Sequence, residues 1–395
     1  MLIERLPLRH CCTLVFFTLN LLLRVAGAQT ETMLYSFAGT EDGGNPSSGV
    51  VADARGNLYG TTAKGGLGFG TVYKITSVGA KSILYSFGTA ISDGAYPSAG
   101  VVRDAKGNLY GTAPYGGSAR NGTVYKVTPA GKETTLYNFT GGSDGGNPAG
   151  PVVLDAQGNL YGTTNVGGNL SACNGGGCGT VFELSSQGVL TVLHSFSGNP
   201  DGENPAEALV FDAAGNLYGT TPYGGAFGYG TVFEVTPGGN ETVLYNFTGG
   251  VDGAYPLGPV VLGANGNVFG LTSQGGISGV YGGVVFRLAS GKETVLHRFG
   301  GSPDGLGPEG GLVLSAGVLY GTTGGGGTSK NCVSGCGSIF QVPLSGKEKV
   351  LYSFTGSPDG EGAFAGLVRD QKGNMYGTTY YGGTFGYGAV FKFVP

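Results

Sequence analysis

Short apolar runs alternate with polar, glycine-rich turns along almost the whole chain, always in the same order. The first cycle holds four such runs, at residues 33–37, 49–52, 57–62 and 70–76, each bounded by Gly, Asp, Asn or Pro. Runs this short, rich in Val, Ile, Thr, Tyr and Phe and closed by turn residues, predict β-strands. Segments such as Val152-Val153-Leu154 do not alternate between apolar and polar. That pattern suits sheets covered on both faces.

The cycle repeats seven times. Leu34-Tyr35-Ser36-Phe37 returns in related form at Leu84, Leu136, Leu193, Leu244, Leu296 and Leu351, at steps of 50, 52, 57, 51, 52 and 55 residues. After it come DGxxP, a GVV-type run, DxxGN, LYGTT, a glycine-rich stretch, GTVF and a PxGK-type turn. A fixed period near 50 residues marks one supersecondary unit stacked on its copies. We call the three strands that follow each DGxxP a, b and c, and the LYSF-type strand d. Asp53-Ala54-Arg55-Gly56-Asn57 predicts a tight a–b hairpin, and Thr128-Pro129-Ala130-Gly131-Lys132 a tight c–d turn.

The phase of the repeat predicts closure. The first strand is a d segment (33–37) and the last a c segment (388–394). If the N-terminal d strand completes the last unit, seven four-stranded antiparallel blades form and no edge stays open. The expected fold is therefore all-β, a seven-bladed β-propeller over residues 29–395.

Composition refines this. Gly (83) and Pro (18) are abundant enough to raise the question of disorder. The regular period, 40% hydrophobic content and only 12% charged residues answer it. Residues 1–28 read as a secretory signal peptide: Arg5 and Arg9 precede an apolar run at 11–23, and Ala26-Gly27-Ala28 forms a cleavage site. No later stretch reaches the ~20 apolar residues of a spanning helix. A secreted, periplasmic or extracellular monomer without membrane insertion is expected. Without Arg5, Arg9, Arg24 and Glu4, 18 basic and 24 acidic residues remain, a net charge of −6 with no basic cluster in the sequence. That disfavours nucleic acid as a partner. Outside the leader four cysteines remain, in local pairs: Cys173 with Cys178, and Cys332 with Cys336. Their C-x4-C and C-x3-C spacings, with no histidine nearby, predict two loop disulfides in an oxidising compartment; two zinc half-sites are the alternative.

The units closely resemble the GloVer tandem repeat of extracellular bacterial proteins. The motif DGxxP…DxxGNLYGTTxxGG…GTVFxxxxxG…LYSF carries the likeness, for example at residues 201–247, and the resemblance covers residues 34–395. It implies an exported repeat protein. It supplies no established activity and no catalytic residue. Members often end in a surface-anchoring segment; none is read in this sequence, so covalent or membrane anchoring is not expected.

In a propeller the d–a and b–c connections share one face, and the a–b and c–d turns share the other. The long, variable loops here are the d–a and b–c ones, so a functional surface is expected there. Every d–a loop carries Asp-Gly, at Asp42, Asp93, Asp144, Asp201, Asp252, Asp304 and Asp359. A ring of carboxylates invites calcium, while capping of each turn by its own Asp is the alternative. No metal site is assigned. Next comes a position that differs between blades: Asn45, Tyr96, Asn147, Asn204, Tyr255, Gly307 and Gly362. Amide and phenol groups there suit a hydroxyl-rich ligand, while turn tolerance is the simpler explanation. The b–c loops add Tyr115, Tyr223, Phe227, Tyr229, Tyr281, Tyr380, Tyr381, Phe385 and Tyr387. Rings on glycine-flexed loops either stack on a ligand such as a sugar or pack between blades.

Catalysis has little to stand on in this sequence. His194 and His297 replace Tyr in outer strands, and no G-x-S-x-G, HExxH or P-loop occurs. Glu203, Glu309 and Glu361 lie near d–a loops and are the available acids. The leading expectation is a non-catalytic binding or adhesion module for a glycan or surface protein. The alternative is a carbohydrate-active lyase or hydrolase using these acids, with or without calcium.

Overall fold

The computed structural model describes residues 29–90, 92–277 and 282–395. Residues 1–28, where a signal peptide is expected, and Tyr281 lie outside the described residues. Seven four-stranded antiparallel sheets follow one another as blades. Blade 1 has a at Val51–Ala52, b at Leu58–Thr62, c at Thr71–Ile75 and d at Lys81–Ser86. Blades 2 to 6 repeat it. Blade 7 takes a, b and c from Val368–Arg369, Met375–Thr379 and Ala389–Val394, and its d strand from Thr30–Ser36. Thr30 pairs with Val394 and Ser36 with Ala389, so the ring closes by pairing the two ends of the fold. Among the described residues, no helix is long and apolar enough to cross a membrane.

The conserved letters of the repeat are packing letters. Each LYSF-type Phe is fully buried: Phe37, Phe87, Phe139, Phe196, Phe247, Phe299 and Phe354. Each sets its ring edge-on against the aromatic of strand c in the next blade, from Phe37–Tyr73 at 5.1 Å round to Phe354–Phe391 at 5.1 Å. Such pairs add about 0.5–1.5 kcal/mol beyond the area they bury. The glycine of LYG makes the room. Gly60 lies opposite Tyr73 in the ladder, and a Cβ there would sit 2.5 Å from the Tyr73 hydroxyl. Tyr73 and Tyr125 take the place that Phe182, Phe233 and Phe286 fill elsewhere, and their buried hydroxyls have no partner. Tyr73→Phe is therefore expected to raise stability by about 1 kcal/mol, read from a denaturant midpoint.

The inner strands are shorter than their sequence predicts, two or three residues rather than four. Their first residues face the neighbouring blade instead of their own sheet. A Cβ on Gly49 would lie 2.8 Å from the Gly366 carbonyl oxygen, so these backbones meet without side chains between them. The first Thr of LYGTT donates across that seam. Thr61 reaches the carbonyl of Ala99, Thr112 that of Gly150, Thr163 that of Glu207, Thr220 that of Gly258, Thr322 that of Ala365 and Thr378 that of Ser48. The last bond joins blade 7 to blade 1. Leu271 replaces this Thr in blade 5.

Candidate functional site

Loops on the d–a and b–c face are held by a short pairing in every blade. Gly44 bridges to Lys64, Ala95 to Tyr115, Gly146 to Val166, Glu203 to Tyr223, Ala254 to Gln274, Leu306 to Gly325 and Glu361 to Tyr381. The Asp-Gly aspartates set the loop shape. Asp42 accepts from the Tyr35 hydroxyl and the Ala38 amide, and Asp252 from Tyr245 and Thr248 in the same way. In blades 3 and 5 the outer-strand residue is His, and Nε2 of His194 and of His297 meets Asp201 and Asp304 where a phenol stands elsewhere. All seven carboxylates are engaged by their own loops. This geometry is that of turn caps.

The variable position has a backbone cause. Asn45, Tyr96, Asn147, Asn204 and Tyr255 all have φ between 54° and 59°, and Gly307 and Gly362 share that region. Asn and Gly tolerate this left-handed conformation best, whereas Tyr is strained there. Asn45 is buried and donates through Nδ2 to the Tyr380 carbonyl. Tyr96 and Tyr255 stay at the surface and gather rings. Tyr96 meets Phe69 at 5.6 Å and Tyr115 at 6.1 Å, and Tyr255 meets Tyr223 at 5.5 Å and Tyr229 at 5.9 Å. Sequence reasoning set packing against ligand stacking. The structure gives these rings both contact and exposure: Tyr115 is 53% exposed, and Tyr223 and Tyr381 are 47% exposed.

Tyr229 and Tyr387 do a second job. Their rings lie over Gly249 and Gly39 in the next blade's d–a loop, where a Cβ would meet the ring within 2.6 Å. In blades 3 and 6 a disulfide fills this place. Cys173–Cys178 and Cys332–Cys336 are bridged, with Cα atoms 5.4 and 5.2 Å apart, and their sulfurs lie over Gly198 and Gly356. The cysteine pairs are thus clips between neighbouring loops, equivalent to the aromatic clips, and not zinc half-sites.

Blades 4 and 7 stand apart. Both read DGE in the d–a loop and TTxYGGxFGYG in the b–c loop. The fold turns this into a repeated constellation: Glu203 beside Tyr223, with Phe227 at the tip and Tyr229 at the base, and likewise Glu361, Tyr381, Phe385 and Tyr387. The Glu–Tyr pairing was missed in the sequence because the partners lie 20 residues apart. The coincidence of DGE with YGGxFGYG in the same two blades was the available signal.

Beside blade 7, a cleft of about 460 Å³ opens among blades 5 to 7. It is lined by Leu257, Leu306, Glu309, Glu361, Phe364 and Tyr381 among others. Burial holds the Glu309 carboxyl above its usual range. Glu207 also sits at the inner strands; burial, with Glu309 adding repulsion, pushes its carboxyl well up. Two of the three expected acids, Glu309 and Glu361, share this cleft, and Glu203 lies in blade 4. Among the described residues, the one close trio of His, Asp or Glu side chains is His297, Asp304 and Glu348, outside this cleft. Although the sequence shows no basic run, the fold gathers Arg55, Lys74, Arg103 and Lys106 along a cleft on the opposite, turn-bearing face. Residues about 50 apart become neighbours when blades stack.

Comparison with known proteins gives the fold wide company and the function little. No curated protein matches. Among solved structures, the chain is similar to the extracellular domain of a protein described as a one-component system from B. thetaiotaomicron. The identity is 12% and the TM-score 0.55, over 92% of this chain and 41% of that one. The chain thus spans under half the length of that structure. It is also similar to a structure described as a 6-phosphogluconolactonase from Bacteroides uniformis, at 15% identity and a TM-score of 0.48, covering 83% of this chain and 88% of that one. The former likeness bears on the fold alone. A family model described as the Gloeobacter/Verrucomicrobia repeat matches residues 17–177 and 171–391. With its seven copies built as seven blades, the chain belongs to the Gloeobacter/Verrucomicrobia repeat family.

Proposed function

We propose that this propeller is an exported binding module that holds a neutral, hydroxyl-rich glycan on its d–a/b–c face. The twin constellation of blades 4 and 7 carries the reading. In each, a Glu pairs across the loop ladder with a half-exposed Tyr, with a Phe 59% exposed at the loop tip. Exposed rings on rigidly paired loops offer flat apolar surface to a sugar face, and the adjacent carboxylate accepts from its hydroxyls. Two copies on one ring suit a repeating polymer, whose second contact gains from the first. Two disulfides fit an oxidising compartment.

Affinity electrophoresis against dextran, mannan, xyloglucan and mixed-linkage β-glucan tests it. At least one should retard the protein, and the combined Tyr223→Ala, Phe227→Ala, Tyr381→Ala, Phe385→Ala variant should lose about tenfold or more in affinity, at about 0.5–1.5 kcal/mol per ring. Its melting temperature should stay near that of the parent. Tyr229 and Tyr387 are left in place because they cover glycines of the next blade. Migration of the parent unaffected by every polymer, or equal retardation of parent and variant, would count against the reading.

A second reading has one observation behind it. Glu309 and Glu361 line one cleft, and burial raises the Glu309 carboxyl. Two carboxyl groups facing one cleft, one of them raised by burial, are the kind of pair a glycoside-cleaving enzyme uses. Release of reducing ends from those polymers, abolished by Glu309→Gln, would favour it over simple binding.

A further inference from the structure

We infer that the turn-bearing face over blades 7, 1 and 2 is a second binding site, for an acidic polysaccharide carrying carboxylate or sulfate groups. The seven blades are alike in fold but not in charge. Strand c carries one residue paired with the Tyr or Phe of LYG: Lys74, Lys126 and Lys392 in blades 1, 2 and 7, against Glu183 and Glu234 in blades 3 and 4, Gln341 in blade 6 and a single Arg287 in blade 5. The a–b hairpin tip holds Arg55, Lys106 and Lys372 in blades 1, 2 and 7, against Gln157 and Ala214 in blades 3 and 4. Strand a ends in Arg103 and Arg369 in blades 2 and 7, against Leu154 and Phe211. Eight cations thus occupy one sector of a chain whose other charges sum to a strong negative balance.

Between blades 1 and 2 they form a cleft of about 570 Å³ lined by Arg55, Lys74, Arg103 and Lys106. The guanidinium of Arg103 and the ammonium of Lys74 stand 5.6 and 5.9 Å from the Tyr59 ring centre. Arg103 Nε is buried with no hydrogen-bond partner. The ion pairs among the described residues are Lys81–Asp42, His194–Asp201 and His297–Asp304, none of them in this cleft. Its lone lining carboxylate, Asp53, is already shared by the Arg55 and Asn57 amides, the Asn57 side chain and the Tyr59 hydroxyl. Four cations with no anion assigned, one of them with a buried and unpartnered Nε, match the planar oxygens of carboxylate or sulfate. Tyr59 is only 8% exposed, so the cleft offers no ring face for a nucleic-acid base to stack on. Repeated anions spaced along a polysaccharide fit a strip that runs across three blades.

The test uses the chain from residue 29, with polygalacturonate and dextran sulfate as probes and neutral dextran as the reference. Arg55→Glu with Lys106→Glu reverses two exposed charges, and Lys330→Glu, on the opposite face, is the control. The parent should bind at least one anionic polymer at low salt and release it at high salt. The double variant should bind about tenfold or more weakly, and Lys330→Glu should behave as the parent. The variant lacking the four rings on the other face should keep this binding, which separates the two sites. The inference fails if neither polymer binds at low salt, if Lys330→Glu weakens binding equally, or if duplex DNA or anionic vesicles bind more tightly than both polymers.

Discussion

A chain that starts at residue 39 is expected to lose its cooperative melt, because residues 29–38 are one quarter of blade 7 and the clasp of the ring. Thr30–Ser36 runs along Ala389–Val394, and the Phe37 amide adds a bond to the Gly388 carbonyl. Phe37 is fully buried against Tyr73 of blade 1, so the same segment seals two blades. Phe37→Ala alone should cost about 3–5 kcal/mol, the usual range for a buried Phe truncated to Ala. Thr32→Ala, at an exposed position of the same strand, should change little. Thermal melts followed by circular dichroism read all three. A truncated chain melting like the parent would show that the clasp is dispensable.

Stability is expected to peak in mildly acidic solution and to fall as pH rises from about 5 to 8. The cause is a set of glutamates at the start of outer strands, each near the Asp-Gly aspartate of the loop that leads into its own blade. Burial, then the nearby Asp359, pushes Glu31 up to about 7. Burial, opposed by a Thr135 bond and aided by Asp93, takes Glu133 to about 7. Burial takes Glu241 to about 7 against the pull of His194 and with the push of Asp201, and takes Glu293 to about 7 with Asp252. Burial, then the nearby Asp304, raises Glu348 as well. Oε1 of Glu31, Glu241, Glu293 and Glu348 is buried without a partner. Raised carboxyls stay protonated in the folded chain after the unfolded chain has ionised. The folded state then binds more protons, and unfolding becomes easier as pH climbs from about 4.5 to about 7.

The opposite arm comes from Asp42, Asp53, Asp104, Asp201, Asp212 and Asp370. Their burial is outweighed by hydrogen bonds, which hold them below the ordinary range. Their stabilisation is lost as pH falls below about 4. Partial contact with water keeps each glutamate to on the order of 0.5–1 kcal/mol, so the set should shift the melting temperature by several degrees. Changing Glu31, Glu133, Glu241 and Glu293 together to Gln should flatten the profile between pH 5 and 8. A parent profile that rises over that interval would contradict the assignment.

The sequence by itself determined the architecture. A sevenfold repeat of LYSF, LYGTT and GTVF places a buried ring, a glycine facing it and a strand edge at the same step in every unit, and the d-first, c-last phase leaves pairing of the ends as the closing solution. Local chemistry was equally legible: the Asp of each DG caps its own loop, and each cysteine pair bridges within one loop, because partners within a few residues have few alternatives. Tertiary structure alone decided whatever depends on residues one blade apart. It placed Glu203 beside Tyr223 and Glu361 beside Tyr381, set Tyr229, Tyr387 and the disulfides over glycines of the next loop, shortened the inner strands, and drew Arg55, Lys74, Arg103 and Lys106 into one cleft. Repeat letters report what every blade needs, and these contacts join positions where the blades differ. Their meeting is fixed by the turn of the ring and by the closeness with which one backbone passes the next, quantities that a period of about 50 residues does not encode.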